Sequence, residues 1–566
     1  MPFPPPRAAV SEAGGRGLRG AGPPNGAARL GTCGRTPPVW PVPSSAVLVG
    51  EKPRWIVHIP PNEPGYRRRE RHRQRTSYLH DVSTPDRRAR LSLALLLLPW
   101  LAAMSSACAL DEPTAPRTNV ILISLDTLGA HSLGAYGYTR ETSPQIDALL
   151  AQSTVFTHAY TLEPHTLPAH TSLFTSLHPL SHGVEGRLTG GQPVPAKAPS
   201  LTSSLKQNGY TTAAFVNGGF LHPRFGLDRD FDRYDYYSDI KTRGQRGDLR
   251  YGRSAAQTNE ALGRWLDEIR STDAADASYP PFFLFLHYFD IHSDWRGLPY
   301  DSPEPYRAQL VTDATIDFEA PSEAGGGSDF LVRVGDGQRA VAQDDIAYIR
   351  SLYDAGIRYT GDRVGELLSL LGSRGLLENS LIVLVSDHGE EFMEHGKMLH
   401  TQLYEETMRI PFALHFPDSA KFPAGTRPEL VTHLDVAPTV LSYLGIGTPN
   451  EMQGRDLMPA LREQAPVPVE PIVLYSSGHD RLALVHAERK LLYDQATDHA
   501  ELYALDDDPL EQVDLAPGNP DAVKEAIDRL RQAVDALPKP DPDRAVPGVR
   551  LDAGTVEELK ALGYVR

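Results

Sequence analysis

Cysteine is almost missing: Cys33 and Cys108 are the only two in 566 residues. A disulfide-stapled scaffold is thereby excluded. A basic surplus is missing from most of the chain as well. The total charge is −16, and residues 1–107 hold 16 Lys/Arg against 6 Asp/Glu, so residues 108–566 carry −26. An acidic body of that size argues against nucleic-acid binding through a broad basic face. Long apolar runs are scarce. The longest lies within Leu91–Met104, short of the ~20 residues that a bilayer span needs. No internal repeat is visible. What is present is globular composition, 40% hydrophobic and 23% charged, in a chain long enough for a large core and three or four domains at ~100–200 residues each.

The first 107 residues do not read as a domain. Residues 1–65 are rich in Pro, Gly, Ala and Arg, and Tyr66–Arg75 is a basic run. Such a segment buries too little apolar surface to offset its ordering entropy. Arg87, Arg88 and Arg90 then precede the Leu/Ala run, and Ser105, Ser106, Ala107, Cys108 and Ala109 follow it. That is a basic n-region, an apolar h-region and a small-residue cleavage site. Residues 82–108 are therefore expected to be an export signal, and residues 1–81 a disordered extension or the product of a mis-set start, with Val82 encoded by an initiating GUG. Cys108 stands where a bacterial lipoprotein carries its acylated cysteine. The expected destination is the periplasm, as a soluble enzyme or as an outer-membrane-anchored lipoprotein.

The remainder reads as one large α/β domain over 115–460 with a smaller C-terminal piece and tail over 461–566. Asn119–Leu125, Pro281–Leu286 and Leu381–Ser386 are apolar at nearly every position, which suits parallel strands buried on both faces. Helical patterns occupy Ser143–Gln152, Ser200–Asn208, Thr258–Arg270 and Ile346–Leu371, and this alternation means a parallel sheet sandwiched by helices. The polar stretch 301–342, with Ala324–Ser328 glycine-rich, reads as an insertion loop. Pro471–Leu492 and Glu501–Leu505 read as strands of a small subdomain, and Pro520–Leu537 as an amphipathic helix.

The strand ends carry the chemistry. The first ends at Asp126, the second runs into His287, Asp290 and His292, and the third into Asp387, His388 and Glu390. Ligands of parallel sheets bind beyond the carboxyl ends of the strands. Aspartate and histidine delivered there together suit zinc or another divalent first-row ion. A fourth segment, Glu163–Ser172, places Thr166 and Pro168 at a helix start. The first N–H groups of a helix attract anions, so a hydroxyl there beside a metal faces a bound phosphate or sulfate as a nucleophile. An ordinary helix cap is the competing role for Thr166.

Taken in order, Asn119–Asp126, Thr166–Thr175, Leu286–His292, Ser386–Glu390, His400 with Leu403–Glu406 and Arg409–Pro411, Leu434–Thr439 and Glu558–Tyr564 resemble the sulfatase-like branch of the alkaline phosphatase superfamily. The resemblance implies a mainly parallel sheet between helices with a smaller C-terminal sheet subdomain. It departs from true sulfatases at the C/S-x-P-x-R motif that yields formylglycine. Here the segment is Thr166-Leu-Pro-Ala-His170, so no formylglycine can form and His170 replaces the arginine. Threonine as nucleophile is instead similar to the phosphodiesterase and phosphoethanolamine transferase branches. His388 stands where many sulfatases have asparagine.

Carried over residue by residue, the resemblance implies that Asp126, Thr166, Asp387 and His388 hold one metal, and more loosely that Asp290, His292 and His400 hold a second. With a single metal, His292, Lys397 and His400 become substrate contacts or the general acid. Zinc is favoured, as one or two ions, with calcium or manganese the alternatives. Glu391, Glu394 and His395 read as solvated charges of a lid loop, and His165 and His287 as structural histidines. The expected function is an exported metal-dependent hydrolase of phosphate or sulfate esters, on small-molecule, glycan or lipid substrates, through Thr166. A phosphoryl-group transferase, or a binding lipoprotein without activity, are the alternatives.

Overall fold

The computed structural model describes residues 117–186, 193–237, 253–270, 278–293, 298–312, 327–477 and 481–540. The segments 1–81 and 82–108, Cys108 and the Glu558–Tyr564 motif lie outside the described residues.

The apolar runs become strands because both faces of the sheet are covered. All seven residues of β1 (Asn119–Leu125) are buried. Val120 and Leu122 join Phe283, Phe285 and Val383 in the core on one face, while Ile121, Ile123 and Leu125 join Leu284, Leu286 and Leu384 on the other. Each such side chain contributes about 1.5–3 kcal/mol on burial. The further strands are β2 (Thr154–Tyr160), β3 (Thr211–Val216), β4 (Arg233–Tyr236), β5 (Phe282–Tyr288), β6 (Ser380–Val385), β7 (Glu391–Phe392), β8 (Met398–Leu399), β9 (Arg409–His415), β10 (Gly425–Thr432), β11 (Ile472–Ser476), β12 (Arg481–His486), β13 (Arg489–Asp494) and β14 (His499–Ala504).

The main sheet has the order β10-β2-β9-β6-β1-β5-β3-β4. β1 pairs parallel with β5 and β6, β3 with β5 and β4, and β10 with β2. Among the described strands of this sheet, β9 alone runs against its neighbours β2 and β6. The fold is thus the large, mostly parallel sheet between helices that the sequence implies, and the carboxyl ends of β1, β2, β3, β5, β6 and β10 share one edge. Ser124 stands level with both His287 and Val385, so the residues just beyond these strands meet. β11 to β14 form a separate antiparallel sheet, against which helix Pro520–Ala536 packs Val523, Ile527 and Leu530.

Helices Pro144–Leu150, Leu201–Gln207, Ala255–Ile269 and Gln343–Ser373 fall where the periodicity places them. The stretch 301–342 corrects the sequence reading: its described part holds helices Tyr306–Leu310 and Gly327–Gly335. The second is amphipathic, burying Phe330, Leu331 and Val334, a short pattern that its glycine-rich flank conceals.

Candidate active site

Thr166 opens a helix, Thr166–Thr175, whose ten residues are all buried. Its N-cap is His165, which makes no side-chain cap. Thr166 therefore occupies the first turn and is not a capping residue, and its buried Oγ1 has no hydrogen-bond partner. One turn on, His170 Nδ1 donates to the Thr166 carbonyl at 2.8 Å. That fixes the tautomer, so Nε2 accepts from Ser124 Oγ at 3.0 Å. Burial lowers the His170 pKa, leaving a neutral imidazole in the place of the sulfatase arginine.

Beyond β1, the chain turns sharply through Thr127, which has φ of 58°, a left-handed conformation uncommon for a β-branched residue and costly unless the surroundings impose it. Here they do. Thr127 N donates to Asp387 Oδ1 at 3.0 Å and Leu128 N to Ser386 Oγ at 2.9 Å. Tyr353 Oη donates to the Thr127 carbonyl at 2.7 Å and accepts from Gly129 N at 3.2 Å. The turn thereby ties the exit of β1 to the exit of β6. Gly389 is required there, because a Cβ would overlap the Glu406 carbonyl.

Asp126, Asp387 and His388 converge with ligand atoms within 4.8 Å of one another. Both Asp126 oxygens, Asp387 Oδ2 and His388 Nε2 are buried without hydrogen bonds. Among the described residues no lysine or arginine is bonded to them. Burial, then the carboxylates of Asp387 and Glu390, push the Asp126 carboxyl well above its usual range. Burial also opposes ionisation of Asp387, but His388, His170, His287 and the Thr127 amide outweigh it and hold that carboxyl low. His388 is lowered to about 4 by burial, so its nitrogen is a neutral donor. Two carboxylates and a neutral imidazole, each with a buried ligand atom that has no hydrogen bond, fit a divalent cation with mixed O/N preference. The overlapping group His170, His287 and Asp387 fits less well, since His170 has both nitrogens engaged.

Residues 118–446 match the sulfatase family model, and residues 393–539 the N-sulphoglucosamine sulphohydrolase C-terminal model. The chain belongs to the sulfatase family. It is a sulfatase-like hydrolase acting on ester bonds. Arylsulfatase K of Xenopus laevis is 24% identical over 478 residues, covering 79% of this chain and 88% of its own length. Iduronate 2-sulfatase of Mus musculus is 26% identical over 514 residues, covering 84% and 87%. The solved structure of BT4656 with its substrate D-glucosamine-2-N,6-O-disulfate superposes with a TM-score of 0.58 at 20% identity, covering 75% of this chain and 99% of that one. A phosphonate monoester hydrolase of Agrobacterium radiobacter gives 0.57 at 18% identity, covering 74% and 96%.

The remaining site residues of this sulfatase-family enzyme fall into two groups. His400 lies 4.3 Å from His388 and 5.7 Å from His292, ring to ring, with Nδ1 3.3 Å from Glu390 Oε1. Burial lowers His292 and His400 to about 3 and lifts Glu390 to about 8. Asp290 does not join them: its Oδ2 accepts from Ala255 N at 2.8 Å, at the start of the Ala255–Ile269 helix, where a carboxylate is favoured by the dipole. Among the described residues, the two metal-competent groups contain neither Asp290, His292 nor His400. Lys397 sits in the β7–β8 hairpin with Nζ donating to the Gly335 carbonyl at 2.9 Å, so its amine is committed to a neighbouring helix end.

Two sequence readings are corrected. His287 is no mere packing residue, for Nε2 lies 3.0 Å from Asp126 Oδ2. Glu391, Glu394 and His395 are not solvated charges. Glu391 accepts from Thr401 N at 3.2 Å and Gln402 Nε2 at 2.9 Å, Glu394 pairs with Arg350 at 2.7 Å, and His395 stacks on Tyr404 at 3.6 Å. His165 is held by Glu163 at the site itself. His433, which the sequence reading passed over, packs Nε2 against the Ser386 carbonyl at 2.7 Å, directly behind Asp387. The signal available for His287 was position, an ionisable residue at the carboxyl end of an apolar strand, whereas His433 follows β10, a largely polar strand that gives no such signal.

Proposed function

We propose that this enzyme hydrolyses phosphate and sulfate esters by covalent catalysis through Thr166, and that it is faster on phosphate. The observation that carries the reading is the orphaned, buried Thr166 Oγ1 at the head of its helix, where His170 Nδ1 donates to the Thr166 carbonyl at 2.8 Å. Asp126, Asp387 and His388, with Thr166, would hold a divalent ion, zinc favoured by the mixed ligand set. Bound there, such an ion would stabilise the Thr166 alkoxide and offset the charge of the ester.

Thr166 Oγ1 bonds to phosphorus or sulfur, the bond to the leaving oxygen breaks, and that oxygen departs as an alcohol with the proton of the threonine hydroxyl. Water then attacks the same centre and restores Thr166. The N-terminal amides of the Thr166–Thr175 helix orient the anion. A formylglycine sulfatase expels sulfate from a hemiacetal, a route closed to threonine, so a threonyl sulfate must be cleaved at sulfur. That favours phosphate in this chain. Export through residues 82–108, with Cys108 acylated or removed, belongs to the same reading and is supported by the n-region, h-region and small-residue order alone. Mass spectrometry of the native N-terminus checks it.

The deciding experiment is steady-state kinetics of metal-loaded protein on matched nitrophenyl phosphate, phosphodiester, phosphonate and sulfate. Thr166→Ala should abolish turnover of each while the protein remains folded, and Thr166→Ser should retain part of it. An alanine variant within threefold of wild type would sink the nucleophile. A sulfate kcat/KM above every phosphorus ester would reverse the preference.

A further inference from the structure

The turns that present the candidate metal ligands rest on one short helix. Asp126 leads into the turn through Gly129, and Asp387 and His388 into the turn through Gly389. Helix Glu405–Met408 lies against both. A Cβ added at Gly389 would fall 2.0 Å from the Glu406 carbonyl oxygen, and one at Gly129 3.1 Å from the same atom. Gly389 N donates to the Thr407 carbonyl at 2.8 Å. Backbone meets backbone here, with no side chain to take up a displacement, so a shift of the helix carries the His388 turn with it.

A single turn of helix is not stable alone. This one is held from the C-terminal sheet. Glu405 N donates to Glu511 Oε2 at 2.7 Å. Lys490 Nζ, on β13 and with none of its side chain accessible, lies 3.0 Å from Glu405 Oε1 and 3.0 Å from Glu511 Oε1. Tyr160 Oη, at the end of β2, donates to the other Glu405 oxygen at 3.1 Å. Met408 shares an apolar cluster with Leu474 and Val485 of the same sheet, but apolar contact is non-directional, so the orientation of the turn falls to the ion pairs. Lys490 draws together two buried carboxylates that would otherwise repel. We propose that Lys490 is a positioning residue for the cation site: by joining Glu405 to Glu511 it fixes Glu405–Met408 and, through that helix, the spacing of Asp126, Asp387 and His388. The C-terminal sheet, which supplies none of the metal-competent groups among the described residues, then sets the metal affinity of the catalytic domain. The inference rests on the cation site proposed above.

The test measures the zinc Kd of the full-length protein by chelator competition at pH 8, counting the zinc that Asp126→Asn fails to hold. Lys490→Met should weaken that zinc about tenfold, the lower end for removing a group that orients metal ligands. Lys490→Arg keeps the cation and should recover part of the affinity. Leu530→Ala controls for stability alone, since Leu530 is buried on the other face of the same sheet, against Leu482, Leu484 and Leu491. It should lower the urea midpoint and leave the zinc Kd within twofold of wild type. A Lys490→Met protein with a Kd within twofold of wild type overturns the inference and leaves the cation site intact, as does a Leu530→Ala protein that loses as much affinity as Lys490→Met. If Lys490→Met fails to fold, Glu511→Gln, which removes one charge and keeps the shape, decides: it should also weaken zinc, and a Kd within twofold of wild type overturns the inference. Wild type that holds no more zinc than Asp126→Asn overturns the cation site and this inference with it.

Discussion

Replacing Asp126 by asparagine is expected to stabilise the metal-free protein while removing its response to metal. Both Asp126 oxygens are buried and unbonded, and its ligand atom lies within 4.8 Å of that of Asp387. Two unit charges at that separation repel by about 3.5 kcal/mol at an effective dielectric of about 20. Part of this is already relieved. Burial and the neighbouring carboxylates raise the Asp126 pKa, which lessens its charge when no cation is near, and His287 Nε2 lies 3.0 Å from Oδ2. A net gain of about 1–3 kcal/mol remains for a neutral, isosteric amide. In wild type, a divalent ion at about 100 times its Kd should add about 2.7 kcal/mol, and the variant forfeits that increment. Urea unfolding at pH 8, with EDTA and with saturating zinc, reads both effects. An asparagine variant less stable than wild type in EDTA would refute the electrostatic argument. A wild-type midpoint that metal does not move would refute the cation site.

Lys490 is fully buried between Glu405 and Glu511, 3.0 Å from each. Lys490→Met should cost about 3–5 kcal/mol by leaving two buried carboxylates unpaired, seen as a lowered urea midpoint. Gly389→Ala should cost about 3 kcal/mol through the clash with the Glu406 carbonyl, checked by thermal melting. Stability should also fall as pH rises from about 6.5 to 9. Burial lifts Glu391 from 4.5 to about 8. His395, lowered by burial but raised more by Glu406, moves from 6.5 to about 9. Both folded pKa values are raised, so each contribution is complete below the unfolded value and lost as pH passes the folded one. Glu391→Gln should flatten the lower part of that decline, and a Tm that climbs over the range contradicts it.

How much could be read in advance depended on how the buried surface is distributed. β1, β5 and β6 are apolar on both faces, so their residues announce the strands and the exits at Asp126, His287 and Asp387. β10 sits at the sheet edge, exposes Gly425 and Thr426, contains Pro428 and breaks register between Arg427 and Leu430. An edge strand of that kind has no apolar run to read. β2 alternates Thr and His with Val, Phe and Tyr, and its apolar positions are too few to separate from a helix. Thr166, Asp387 and His388 stand out in the sequence because each follows a structural boundary. Asp290 followed one too, yet its carboxylate serves a helix start 35 residues earlier in the chain, a competing use of acidic side chains that only tertiary structure distinguishes. The hold on Glu163, which bonds His165, was invisible for the same reason, since Ser477 Oγ donates to it at 2.8 Å from 314 residues away.

The central position of β1 has a consequence in time. It is the first strand of the sheet to be synthesised, and Asn119 reaches Phe282 and Ser380, 163 and 261 residues further on. At roughly 5–20 residues per second, β6 emerges roughly 15–50 seconds after β1. Until β5 appears, 163 residues on, this fully buried strand has no native partner, and until β6 follows one of its sides stays uncovered. Contacts this distant slow folding, because loop closure must precede any gain from pairing. The centre of the sheet is therefore completed only after β6 has emerged.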